Sequence, residues 1–339
     1  MNVLVTGGFG YIGSHICAKL IQGKHNLTII DSGLQSGNNA LYLRSLADET
    51  GVVPSIFNLD IRSLNQYSSL CSSIFKDIDV VIHCAALKSV LDSFKNPQEY
   101  YDVNVGGSLA IITAMQRYMR DKKIVFAFSS AVYADASAGV NHSFHRNSRS
   151  PYGESKSMVE KILLDIHISD KSWDITVLNY FNPMGYGFDD NLQDRYNKYG
   201  LIHNIMHSLN TGDAFILNDS LDDPKIRKDF IHINHLVDRT LHFAIGTPYK
   251  HVLGDYAQLD VRSGVNLKLI DIIKAFEKVS GKTINVFESP RRAGDGSHPY
   301  SKYRDNFCKN SADPYDYGYQ ANLEEMCDNV YKNYRKILQ

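Results

Sequence analysis

A short apolar strand that ends in glycines and turns at once into a helix constrains this chain more than any other feature. Val3-Leu4-Val5-Thr6 runs into Gly7-Gly8-Phe9-Gly10-Tyr11-Ile12-Gly13. Glycines at 7, 10 and 13 form a GxxGxxG loop between a strand and a helical pattern. Such a loop turns tightly, lets a pyrophosphate approach bare backbone, and aims a helix N-terminus at the anion. The second strand, Leu27–Ile30, is followed by Asp31. A carboxylate there accepts from the adenosine ribose hydroxyls and repels a 2′-phosphate. No arginine follows before Arg44. The pattern therefore predicts NAD, not NADP, with Gly7, Gly10, Tyr11, Ile12, Gly13 and Asp31 on the cofactor. Asp60 and Ile61, after Phe57-Asn58-Leu59, are expected at the adenine edge.

The rest of the first half repeats the alternation. Val3–Thr6, Leu27–Ile30, Asp79–His83, Ile124–Ser129 and Ile175–Leu178 are expected as buried parallel strands. Amphipathic stretches at Ile12–Gln22, Val103–Tyr118 and Lys156–Ile166 lie between them. Repeated strand–helix–strand order implies an α/β fold, a Rossmann-type doubly wound parallel sheet with helices on both faces. After about residue 180 the rhythm breaks. Helices are expected near Leu201–Leu209, Asn234–Ile245 and Leu267–Val279, a strand at Phe230–Ile233, and a loop-rich cap over Tyr300–Tyr319. The expected organisation is a dinucleotide domain over 1–180, with possible later returns near 228–245. A smaller, irregular substrate domain is expected over 181–339.

Composition excludes other classes. A net charge of -1 with no long run of one sign argues against a nucleic-acid partner, which needs a basic face. No apolar stretch is long enough to span a bilayer, and Met1-Asn2 leads directly into the first strand. The five cysteines are scattered without CxxC spacing, as expected of a cytoplasmic protein. No metal is expected: His203 with His207, and His232 with His235, lack the acid or cysteine that would complete a ligand set.

Three groups point to proton and hydride chemistry. Tyr152 and Lys156 stand one helical turn apart on one face. An ordinary tyrosine pKa near ~10 is too high for a base at neutral pH. A nearby ammonium and an oxidised nicotinamide both favour the phenolate. Ser129 ends the strand Ile124–Ser129, where parallel sheets present ligand-binding groups, and can hold the oxygen that Tyr152 deprotonates.

Together, Val3–Gly13, Ser129-Ser130-Ala131-Val132-Tyr133, Tyr152–Lys156 and Tyr180-Phe181-Asn182-Pro183 resemble the extended short-chain dehydrogenase/reductase family. Ala86–Val90, Glu99–Val105, Ser150–Gly153 and Pro290–Asp295 are similar to its UDP-glucose 4-epimerases. The resemblance implies reversible 4-epimerisation of a UDP-hexose (UDP-glucose/UDP-galactose) through a 4-keto sugar, with transient hydride transfer to bound NAD. It places Ser129, Tyr152 and Lys156 as catalytic, and Lys88, Asn104 and Tyr180 with Tyr152 and Lys156 on the cofactor. It places Asn182, Asn204, Lys228, Arg292 and Asp295 on the UDP-sugar, and it implies a homodimer paired through the helices around Val103–Tyr118 and Lys156–Ile166.

Sister dehydratases carry an Asp-Glu pair after the catalytic hydroxyl residue; here that slot holds Ser130-Ala131. Departures from the family pattern are Ala131 for Thr, Ala134 for Gly, Asn179 for Arg, and Lys228 for Arg. An epimerase or net oxidoreductase acting on another nucleotide sugar, and a non-catalytic dinucleotide sensor, stay open as alternatives.

Overall fold

A computed structural model describes residues 1–34, 37–133, 148, 150–187, 200–218, 227–246, 255–265, 267–290 and 322–338. Among the described residues seven strands form the main sheet: β1 (Asn2–Thr6), β2 (Asn26–Asp31), β3 (Ser55–Asn58), β4 (Val80–His83), β5 (Lys122–Ser129), β6 (Trp173–Tyr180) and β7 (Tyr256–Val261). Their order is β7-β6-β5-β4-β1-β2-β3, and every pairing is parallel. Chain order reverses between β1 and β4, so a crevice opens at the C-terminal strand ends beside the glycine loop.

The five expected strands are all present. Both outermost strands, β3 and β7, are additions. Edge strands need no continuous apolar run, and β7 (Tyr-Ala-Gln-Leu-Asp-Val) is buried fully only at Val261. Because the inner strands are buried on both faces, two apolar layers form. Residues such as Val3, Val5, Ile29 and Ile82 pack on helices Tyr11–Gln22, Gly37–Thr50 and Ile233–Ile245. Leu4, Ile30, Val81 and Phe126 pack on helices Ser68–Phe75, Gly107–Tyr118 and Pro151–Ser169.

The helix expected around Lys156–Ile166 spans Pro151–Ser169. Ser150 caps it by accepting from the Gly153 N–H at 3.1 Å, and Pro151 occupies the first turn. Such a cap stabilises a helix by about 1 kcal/mol, and proline there loses no needed donor. The cap matters for chemistry, since it fixes the turn that carries Tyr152.

A third apolar cluster lies beyond residue 180 and joins Met184, Ile205, Leu209, Phe230, Phe276 and Val330. Strand Phe230–His232 pairs with Asn182–Met184, and helix Leu201–Thr211 ends at Gly212 with φ +81°. The helix expected at Leu267–Val279 runs from Leu269 to Ser280; Leu267 and Lys268 instead pair with Lys228 and Arg227. Helix Leu323–Leu338 has no counterpart in the expectations. Among the described residues, no helix is long and apolar enough to cross a membrane.

Candidate active site

The crevice holds a cavity of about 930 Å³. One end is built by the glycine loop. Gly7, Gly10, Tyr11, Ile12 and Gly13 line it, and Gly10 precedes helix Tyr11–Gln22 without any side-chain cap bond. As at any helix start, the first-turn N–H groups have no intrahelical carbonyl, and they belong to residues that line the cavity. A Cβ on Gly13 would lie 2.1 Å from the Gly7 carbonyl oxygen, and one on Gly7, at φ +69°, would lie 2.7 Å from the Ala85 nitrogen. The cradle is closed to side chains and open to an anion, so it fits the pyrophosphate of a dinucleotide.

Asp31 ends β2 on the cavity wall. One carboxylate oxygen accepts from the Phe9 N–H at 3.0 Å and the other from the Gly33 N–H at 2.8 Å. Each oxygen keeps lone-pair capacity for a ribose hydroxyl. Asp60 and Ile61 also line the wall. Asp60, however, holds the Arg62 guanidinium at 2.6 Å and accepts from the Arg62 N–H at 2.9 Å. That hydrogen-bonded guanidinium holds its carboxyl below the usual range. Lys88 stands exposed at the rim.

At the other end Ser129, Tyr152 and Lys156 meet on one wall. Tyr152 is 8% exposed, and its ring meets Tyr100 edge-on with centroids 6.4 Å apart. Burial pushes the phenol above its ordinary pKa, and the hydrogen bond to Ser129 partly offsets this. The net direction is upward, opposite to the lowering expected from a nearby ammonium and an oxidised nicotinamide together. Spacing puts lysine and tyrosine on one helix face, but the Lys156 ammonium donates to the Ala127 carbonyl at 2.9 Å. It also sits 4.8 Å from the Phe126 ring centroid. Burial lowers the Lys156 ammonium to about 8.

Two expected cofactor groups face elsewhere with their polar atoms. Asn104 is 2% exposed and is not on the cavity wall. It lies in a wide turn, Asp102–Gly106, ahead of helix Gly107–Tyr118. Its oxygen accepts from the Leu87 N–H at 2.8 Å, while its amide donates to the Leu87 carbonyl at 3.0 Å and to Ser155 Oγ at 2.9 Å. Tyr180 lines the cavity, but its hydroxyl bonds Thr240 Oγ1 at 2.8 Å. Since Thr240 donates to the Leu236 carbonyl, the Tyr180 hydroxyl is the donor.

Among the expected substrate residues, Asn182 and Lys228 line the cavity. Asn182 donates to the Asp229 carbonyl at 2.8 Å. Asn204 lies off the wall; its helix contributes Leu201, Ile202, His203 and Met206 instead. Arg292, Asp295, Ala134 and Tyr300 lie outside the described residues. Asn179, the departure from arginine, is fully buried and donates to Asp260 at 2.9 Å. It therefore supports β7 from within the sheet.

Sequence reasoning missed Val330 and Tyr334, which helix Leu323–Leu338 brings to the wall. The signal existed: Leu323, Met326, Cys327, Val330 and Tyr334 recur at helical spacing. Among the described residues, no group of three or more His, Cys, Asp or Glu could hold a metal.

The sequence and the fold are each similar to known proteins. The model of the NAD dependent epimerase/dehydratase family matches residues 3–251. UDP-glucose 4-epimerase of Yersinia pestis is 35% identical over 314 residues, covering 87% of each chain. That of Bacillus subtilis is 31% identical over 304 residues, again 87% of each. Among solved structures, UDP-glucose 4-epimerase of Stenotrophomonas maltophila with NAD and formylated UDP-arabinopyranose has a TM-score of 0.83. It is 28% identical, covering 100% of this chain and 99% of that one. The Bifidobacterium longum enzyme with NAD+ and UDP has a TM-score of 0.84 at 26% identity, covering 99% and 98%. A family match over most of the chain and relatives above 30% identity lead to one conclusion: this chain belongs to the NAD dependent epimerase/dehydratase family.

Proposed function

We propose that this protein interconverts UDP-glucose and UDP-galactose by epimerisation at C4, using bound NAD. The observation that carries the reading is the meeting of Ser129, Tyr152 and Lys156 on the wall of a cavity that begins at a pyrophosphate cradle. When bound, NAD would supply a hydride acceptor and donor for C4 and, while oxidised, a positive charge that favours the phenolate. Tyr152 takes the proton of the 4-hydroxyl as C4 is oxidised, and returns it as C4 is reduced on the opposite face. Ser129 donates a hydrogen bond to the same sugar oxygen. Lys156, on the same wall, would hold the cofactor ribose. Ser130 and Ala131 offer no carboxylate after Ser129, which argues against water elimination. The sugar must turn between the two half-reactions, so the firm grip belongs on the UDP, through Asn182, Lys228, Arg292 and Asp295.

We assign NAD to residues 1–180 with their later returns, and the UDP-sugar chiefly to residues 181–339. A homodimer is the expected assembly; Leu109 and Met158, 41% and 45% exposed on helices Gly107–Tyr118 and Pro151–Ser169, support that pairing face. The described cysteines Cys17, Cys71, Cys84 and Cys327 are free thiols, which supports a reducing, cytoplasmic setting.

Incubation with UDP-galactose is expected to yield UDP-glucose without net NADH, from a species whose mass in light scattering is twice the chain's. Stoichiometric NADH would mark a dehydrogenase, and bound NAD without turnover a sensor. Asp31→Ser is expected to lower the ratio of NAD to NADP affinity by about tenfold or more. It removes charge-assisted hydrogen bonds, each contributing about 1.5–3 kcal/mol, and lifts the repulsion of a 2′-phosphate. Unaltered discrimination in a binding titration would count against the ribose role.

A further inference from the structure

His83, at the end of β4, is 1% exposed and takes no part in the chemistry above. Its two ring nitrogens meet Thr6 Oγ1 at 2.6 Å and Ser108 Oγ at 2.8 Å. The proton positions follow from the partners. Ser108 donates its only hydroxyl proton to the Asn104 carbonyl at 2.5 Å, since a carbonyl can only accept. Ser108 Oγ must then accept from His83 Nε2–H. Burial, with the Lys156 charge adding to it, lowers His83 to about 3, so the ring is neutral and Nδ1 carries no proton. Thr6 therefore donates to Nδ1, and its oxygen accepts from the Ala85 N–H at 3.3 Å.

The chain of bonds continues beyond Asn104. Its amide donates to Ser155 Oγ, and Ser155 donates to the Tyr152 carbonyl at 2.7 Å. Asn104 also grips both backbone groups of Leu87. The wall segment from Cys84 to Ser89 is thus held at Ala85 from one side and at Leu87 from the other. Both holds meet at one imidazole. Thr6, His83, Ser108, Asn104 and Ser155 are all at most 2% exposed, so water cannot replace a lost partner.

Resting on the reading of this wall as the dinucleotide's, we propose that His83 is a positioning residue. As a neutral Nε2–H imidazole it ties the strand ahead of the glycine loop, the wall Cys84–Ser89 and the first turn of the Tyr152 helix into one unit. The ring supplies one donor and one acceptor at a fixed separation. His83→Asn keeps an acceptor near Thr6 and loses the donor to Ser108; Ser108→Ala removes the acceptor of the Nε2 proton.

The test combines nitrogen NMR of isotope-labelled histidine with binding titrations of NAD and UDP. In the wild-type protein His83 is expected as the Nε2–H tautomer at neutral pH. His83→Phe and Ser108→Ala are expected to weaken NAD binding about tenfold or more, since a buried polar group loses its partner. UDP affinity is expected to stay within twofold, which a general loosening of the fold would not allow. His83→Asn should fall between wild type and His83→Phe. An Nδ1–H or charged ring in the wild type overturns the proposal. So does NAD affinity unchanged in Ser108→Ala, which decides the matter alone if His83→Phe does not fold. None of these readouts depends on sugar turnover, so failure of the epimerase reading is seen separately.

Discussion

Tyr152→Phe is expected to lower UDP-galactose turnover by about a hundredfold or more, the lower range for loss of a general acid–base group. The substitution removes one oxygen and leaves the ring, so the edge-on contact with Tyr100 remains. No cavity forms. The variant should therefore fold, melt within a few degrees of wild type and copurify with NAD, as read by absorbance of released nucleotide. The pH dependence sharpens the test. Burial raises the phenol above its ordinary value, so in the unliganded site the phenolate fraction grows as pH rises toward that value. Wild-type kcat/KM, which reports the site before the sugar binds, should climb with pH on the acid side, by as much as about tenfold per unit where the phenolate is limiting. The phenylalanine variant has no such group, and its residual rate should be flat over the same range. An undiminished rate would remove Tyr152 from the mechanism.

What the sequence reveals of this site depends on whether a residue acts through its own local element. The glycine loop, Asp31 and the Tyr152–Lys156 turn are each set by a strand end or a helical repeat, and each lies on the cavity wall. Asn104 and Tyr180 sit near the site too, but their polar atoms are captured by neighbours distant in sequence, Leu87 and Ser155 in one case and Thr240 in the other. No local pattern announces that capture. The direction of the Tyr152 shift is invisible too, because it follows from burial in the folded wall, which no local spacing shows. Helical spacing brings Lys156 to the right face, while the carbonyl of Ala127, from another element, decides where its ammonium points. Edge strands β3 and β7 escape the reading because, among the described residues, one side of each has no partner strand, so polar residues are tolerated there. Helix Leu323–Leu338 shows a different limit. Its apolar spacing is plain, but the preceding residues give no motif that says it reaches the same cavity as the glycine loop.

Gly13→Ala is expected to abolish copurification of NAD and to weaken NAD binding by about a hundredfold. The added Cβ would stand 2.1 Å from the Gly7 oxygen, 2.9 Å from the Gly7 carbonyl carbon and 3.0 Å from the Gly8 Cα. All three are backbone atoms, so no flexible side chain can swing aside. Relief requires the helix Tyr11–Gln22 to move off the loop, or the loop to open. Either motion spoils the convergence of first-turn N–H groups on one anion, which is the source of the site's affinity. The loop has little room to yield, because Gly7 already packs against Ala85 and donates to the Ile30 carbonyl at 2.8 Å. Overpacking of this kind costs about 1–3 kcal/mol of stability, so a lower melting temperature should accompany the loss of nucleotide. Gly106→Ala separates this effect from glycine replacement in general. A Cβ there meets only the Asp102 carboxylate, at 3.5 Å, in a right-handed turn that suits alanine. That variant should keep its NAD. If Gly13→Ala bound NAD as tightly as Gly106→Ala, the pyrophosphate could not lie against this loop, and the cofactor would have to enter the crevice some other way.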